Sequence, residues 1–182
     1  MPYIARLAKL MRPSKPFDSQ ELSPGRYTVD IMVAALTGAP SVEYTIQLPP
    51  EYDPNRQYPC ILALHGEYST PLQELEWWTG SYNDSFQRCL GEASRHGYIV
   101  VTPHWTKPKQ PFYEYTENEH AIILACMRDA MRRSNVNSDR VYLAGHHMGG
   151  DAAWDIALAH PDLWAGMIVI SGDCEKFPTL YE

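Results

Sequence analysis

The chain has no CxxC pair, no apolar run long enough to span a bilayer, and no histidine after His160. Its four cysteines, Cys60, Cys89, Cys126 and Cys174, show neither metal-ligand spacing nor a disulfide framework. A reducing, cytoplasmic setting is therefore the expectation. Cys60 and Cys126 lie in apolar runs, where a free thiol behaves as a small hydrophobe. No GxGxxG occurs, and no GxxxxGK followed by Ser or Thr, so dinucleotide and P-loop readings lack their motif. Basic residues are outnumbered, 15 Lys and Arg against 22 Asp and Glu, and the net charge is −7. That argues against nucleic acid or an anionic membrane as a main partner. The N-terminal stretch MPYIARLAKLMRPSK has scattered positive charge but no continuous apolar core, which makes it a poor signal peptide.

What is present suits one globular domain. Hydrophobic residues make up 45% and charged residues 20% of the 182 residues. A chain of this length can bury roughly 70% of its unfolded surface. Residues 1–40 read as a leader or helical segment, and residues 41–182 as the α/β domain. Ile4, Leu7, Leu10 and Met11 have helical spacing. Ser23-Pro24 resembles an N-cap with proline at N1, and Gly38 a stop, so a helix is expected over about 24–37. The β-branched content of that stretch leaves a strand open.

From residue 42 the pattern is regular. SVEYTIQL alternates, with Val42, Tyr44, Ile46 and Leu48 on one face. Residues 60–64 and 98–102 are short apolar runs of the kind found in strands buried on both faces. Further strands are expected over 140–145 and 165–171, and helices over about 82–96, 117–133 and 148–159. Glu114, Glu117 and Glu119 read as a solvated helix start that complements the helix dipole. Alternating strands and helices imply a doubly wound, mostly parallel sheet in a three-layer α/β/α arrangement. Sites in such sheets gather at the carboxyl edge of the strands. Here that edge is formed by the loops after residues 64, 102, 145 and 171.

One of those loops is GHHMGG, residues 145–150, between a strand and a helix. Together with LPPEYDPNRQYPCILALHG and HPDLWAGMIVISG, it resembles the α/β-hydrolase superfamily. The likeness is to the esterase, polyhydroxybutyrate-depolymerase-like and prolyl-oligopeptidase-like branches, over roughly residues 42–172. The resemblance implies hydrolysis of carboxylic esters or small acyl substrates without a cofactor. It places His147 at the nucleophile position, on a sharp turn that Gly145 and Gly149 permit. The backbone N–H groups of Met148 and of Glu67, in the His65-Gly66-Glu67 loop, would form the oxyanion hole. His65, Gly66, Trp77, Trp78, His104, Trp105 and His146 would lie around the substrate, although packing of Trp77, Trp78 and Trp105 onto the sheet is an equal alternative. Trp154 and Trp164 read as core, and His160 as structural.

Two features depart from the family. His147 stands where a serine is usual, and imidazole is bulkier and forms a different acyl adduct. The family's later acid and histidine also have no counterpart. Asp173 follows the last strand as a weak substitute acid. The reading adopted is an inactive site in a C-terminally truncated hydrolase domain. Three alternatives stay open: a working His147, a non-catalytic domain that binds a small ligand or partner chain, and a metal site from the edge histidines His65, His104, His146 and His147. No metal site is adopted, because side chains of adjacent residues on a turn diverge. Strand 165–171 would be an apolar edge open to self-association.

Overall fold

The computed structural model describes residues 22–32, 41–86 and 88–175. The amphipathic helix expected near the N-terminus and the helix stop at Gly38 lie outside these residues. Among the described residues there are eight strands: β1 (Gly25–Ile31), β2 (Val42–Leu48), β3 (Tyr58–Leu64), β4 (Tyr82–Asn83), β5 (Arg88–Cys89), β6 (Ile99–Pro103), β7 (Val136–His146) and β8 (Gly166–Ile170). The helices are α1 (Pro71–Thr79), α2 (Glu92–Arg95), α3 (Glu117–Arg133) and α4 (Met148–Ala159).

Six strands form one sheet in the order β1-β2-β6-β3-β7-β8. β6, β3, β7 and β8 run parallel, β2 is antiparallel to β6, and β1 is antiparallel to β2. All seven residues of β3 and all five of β6 are buried, as expected for strands covered on both faces. On one face Leu62, Val101 and Leu143 pack with Ile123 and Cys126 of α3 and Ile156 of α4. On the other, Ile61, Val100 and Ala144 pack with Leu75 of α1 and Ala93 of α2. The sheet is therefore the middle of three layers, and the chain has the doubly wound, α/β-hydrolase-like fold.

Helices α3 and α4 and strands β2, β3, β6, β7 and β8 lie where the sequence places them. Three other expectations fail. Residues 25–31 form a strand and not a helix: Thr28, Val29 and Ile31 favour the extended backbone, and the edge of β2 supplies a full antiparallel register from Gly25↔Leu48 to Ile31↔Val42. The expected helix over 82–96 is the β4–β5 hairpin followed by the four-residue α2. Asn83 breaks it, because its side-chain oxygen accepts the Phe86 N–H at 3.2 Å and offers the backbone a turn. Glu119 is not solvated. It is 5% exposed, and its carboxylate accepts from the Thr116 N–H and hydroxyl (2.9 Å each) and from Gln110 Nε2 (2.6 Å). Glu117 in the first turn of α3 is exposed as expected, and Glu114, half-buried, pairs with Lys107 at the surface.

α1 is an element the sequence reading passes over as loop. Thr70 caps it, Pro71 opens it, and Gln73 completes a capping box, which together are a sufficient start signal. No helix among the described residues is long and apolar enough to cross a membrane.

Candidate active site

β7 ends at His146 and α4 begins at Met148, so His147 alone makes the turn between them. Its backbone has φ 50° and ψ −121°, a region that bulky residues rarely occupy. Surrounding backbone holds it there. The His147 N–H donates to the Ile170 carbonyl at 2.8 Å, and its own carbonyl accepts from Gly150 (2.7 Å) and Asp151 (3.1 Å). Side chains are excluded on either side: a Cβ on Gly145 would overlap the Gly149 carbonyl, and one on Gly149 the Leu64 carbonyl. The helix start is thus pressed against the ends of β7 and β3. The His147 side chain projects outward and is exposed.

The loop after β3 lies beside this turn. A Cβ on Gly66 would stand 2.9 Å from the His146 carbonyl oxygen, so Gly66 serves a close approach as well as its own turn. That turn is closed by Ser69, whose hydroxyl accepts the Gly66 N–H at 3.1 Å. Glu67 is half-buried, and its Oε2 accepts the Met148 N–H at 3.3 Å. Sequence reasoning enlists the Glu67 backbone and overlooks this carboxylate.

Three of the four edge histidines, His65, His104 and His146, are held by separate partners. His65 is buried, donates from Nδ1 to the Gly66 carbonyl at 3.0 Å, and its ring lies 5.8 Å from that of Trp105. Burial pushes its pKa below the ordinary histidine value because the cation loses hydration. His104 pairs with Glu43 at 3.3 Å on the surface. His146 donates from Nδ1 to the Glu74 carboxylate, 2.9 Å from each oxygen. Among the described residues, no group of three or more His, Cys, Asp or Glu side chains is arranged to hold a metal ion.

The tryptophans also separate. Trp105 is 2% exposed and belongs to the core, not to an open pocket wall. Trp77 is 61% exposed and meets the His146 ring edge-on at 4.6 Å. Trp78 donates its indole N–H to Glu74 at 2.9 Å. Both belong to α1 and not to the long loop the sequence suggests. Trp164 packs on the core and Trp154 is half-buried.

Asp173 is exposed, and its N–H donates to Asp151 Oδ1 at 2.6 Å, as does that of Cys174 at 2.9 Å. Asp151, in the first turn of α4, therefore ties down the loop after β8. A third His–carboxylate pair joins α3 to α4. His120 Nε2 donates to Asp155 Oδ2 at 2.9 Å, and the Tyr113 hydroxyl donates to the same oxygen at 2.8 Å. Burial and the Asp155 carboxylate push the Tyr113 pKa far up. His160, whose ring lies 6.0 Å from that of His120, is pushed down by burial.

Known proteins share this architecture. The chain is 24% identical over 137 residues to dipeptidyl-peptidase 5 of Porphyromonas gingivalis, covering 70% of this chain and 19% of that protein. S-formylglutathione hydrolase from Staphylococcus aureus superposes with a TM-score of 0.62 at 17% identity, over 81% of this chain and 57% of that one. A ferulic acid esterase from Anaeromyces mucronatus gives a TM-score of 0.56 at 20% identity, over 84% and 60% respectively. The chain thus spans about a fifth of the peptidase and somewhat over half of the two esterase-fold structures. The model of the Esterase family, described as "Putative esterase", matches residues 39–181. The chain belongs to this esterase family, within the α/β-hydrolase superfamily.

Proposed function

We propose that the chain carries an ester-hydrolase type of site centred on His147, for small carboxylic esters or acyl compounds, and that it does not turn them over. The observation that carries this reading is the Glu67 carboxylate on the Met148 N–H at 3.3 Å. Ester hydrolysis of this type needs that N–H aimed at a developing oxyanion. A carboxylate there occupies the donor and adds negative charge where more negative charge must form. The imidazole of His147 is the second obstacle, because no described carboxylate or imidazole is hydrogen-bonded to its side chain to activate it. In this reading the Glu67 N–H is the second oxyanion donor, Gly66 and His65 shape its loop, and Trp77 and His104 form the rim. Trp78 and His146 support the rim from below, Trp105 supports the floor, and Asp173 stays a solvated loop residue. No cofactor takes part.

A non-catalytic role in binding a partner chain is the second reading. It is favoured by β8, which forms one edge of the described sheet and leaves Met167 and Ile168 38% and 39% exposed. Such an edge can pair with a second copy, and light scattering that finds a monomer across a wide concentration range rules this out. A cytoplasmic location is proposed on the four free thiols, and cell fractionation checks it.

The activity reading is tested with p-nitrophenyl acetate and butyrate on four proteins: the chain itself, His147→Ala, His147→Ser and Glu67→Gln. Equal background hydrolysis by the chain and His147→Ala is the expected result. Turnover by the chain that alanine abolishes would overturn the inactive reading and make His147 the nucleophile.

A further inference from the structure

A cleft of about 720 Å³ lies at the opposite end of β3 from His147. It opens where β2 ends and β3 begins, and β5, α2 and Arg140 of β7 complete its walls. Tyr58, at the start of β3, lines it, whereas Leu64 at the other end leads to His65. Seven residues of strand separate these ends by about 20 Å, so the cleft is independent of the elbow.

Its walls carry an unusual charge for this chain. Arg56, Arg88, Arg95 and Arg140 line it, and Glu51 is the one carboxylate residue in the lining. The chain as a whole has a net charge of −7. Among the described residues, Arg56, Arg88 and Arg140 form no ion pair. Arg56 stands 5.7 Å over the Tyr58 ring, a stacking that leaves the guanidinium edge available. Arg95 pairs with Glu92 at 3.4 Å, but both side chains are more than half exposed, and such a pair contributes little and exchanges readily. His96, also in the lining, shares that glutamate at 3.5 Å. Like charges gathered this way repel one another and are relieved by an anion.

We propose that this cleft binds a small, multiply charged phosphate compound carrying an aromatic group. Guanidinium forks match phosphate oxygens in paired hydrogen bonds. The volume lies in the range of small-molecule sites, roughly 300–1,000 Å³. Phe86, 61% exposed and part of the lining, offers a ring face for the aromatic part.

The test is titration calorimetry of the full chain at low salt with tripolyphosphate, ATP and citrate. Arg88→Ala/Arg140→Ala is the cleft variant, Phe86→Ala the ring variant, and Arg132→Ala, on the exposed side of α3, the charge control. Unfolding midpoints accompany each variant, so that a loss of binding is not a loss of fold. The expected result is saturable binding of both phosphate probes, weakened at least tenfold by the double cleft variant and unchanged in the control. ATP should bind more tightly than tripolyphosphate, and Phe86→Ala should remove that difference. No binding at millimolar probe, or equal weakening by Arg132→Ala, overturns the site. Citrate binding as tight as tripolyphosphate overturns the phosphate assignment, and no preference for ATP overturns the aromatic part.

Discussion

His146 Nδ1 stands 2.9 Å from both oxygens of Glu74, a residue that is 3% exposed. The same carboxylate takes the Trp78 indole N–H, so one buried acid links α1 to the end of β7. Truncating it would strand two donors and leave a cavity. Each unsatisfied buried donor costs about 1–3 kcal/mol. Glu74→Ala should therefore lose about 2–5 kcal/mol in urea unfolding. Glu74→Gln keeps one acceptor oxygen and should lose clearly less. Equal losses for the two would mean that shape, not hydrogen bonding, accounts for the effect.

The conformation of His147 predicts the opposite sign for another change. A non-glycine residue at φ 50° and ψ −121° stores about 1–3 kcal/mol of strain. Its exposed side chain offers little packing in return. His147→Gly should raise the unfolding midpoint, by about 1 kcal/mol in free energy after the added chain entropy of glycine. Gly149→Ala, whose Cβ would overlap the Leu64 carbonyl, should be severely destabilised. A His147→Gly variant less stable than the parent would show that the imidazole makes contacts beyond those described.

Acid should weaken the fold in a defined window. Burial lowers the pKa values of His65 and His160 from the ordinary 6.5. The unfolded chain then binds protons that the folded chain resists. Stability is full above about pH 6.5 and declines as the pH falls through that value toward the lower folded ones. Thermal midpoints between pH 8 and pH 5 should show this decline, and His65→Asn should flatten it. An unchanged slope in that variant would exclude His65 as a source.

Asp151 should control the loop after β8. Its Oδ1 receives the N–H groups of Asp173 and Cys174. In Asp151→Ala, hydrogen exchange at those two amides should speed up about tenfold or more, while Asp151→Asn retains part of the protection. Identical exchange in all three proteins would mean that the loop is held by other contacts.

The parts of the molecule legible in the sequence are those specified locally. α3 and α4 show their periodicity and their ends, and Gly145, His147 and Gly149 encode the turn within five residues. β1 was obscured because Ser23-Pro24 imitates a helix start, while the edge of β2 that recruits the segment is distant in sequence. The stretch 82–96 has helical composition, but Asn83 diverts it into a hairpin. α1 carried a readable start signal, Thr70 to Gln73, that the aromatic pair Trp77-Trp78 overshadowed. The site's polar links were beyond reach for a different reason. Glu67 and Met148 lie 81 residues apart, Glu74 and His146 lie 72 apart, and His120 and Asp155 lie 35 apart. No local pattern announces such pairs, because only the assembled sheet edge brings them together.

The outward projection of His147 also bears on how such a chain changes over generations. Every contact that holds residue 147 in place is made by backbone, and its side chain meets solvent. Beyond the preference of that backbone conformation for glycine, stability therefore discriminates little between one unbranched side chain and another at that position. A chemical group placed there is kept only by selection on chemistry, and once that selection relaxes, exchange of one unbranched side chain for another is nearly invisible to folding. The same arrangement makes the position a convenient site for installing a new reactive group.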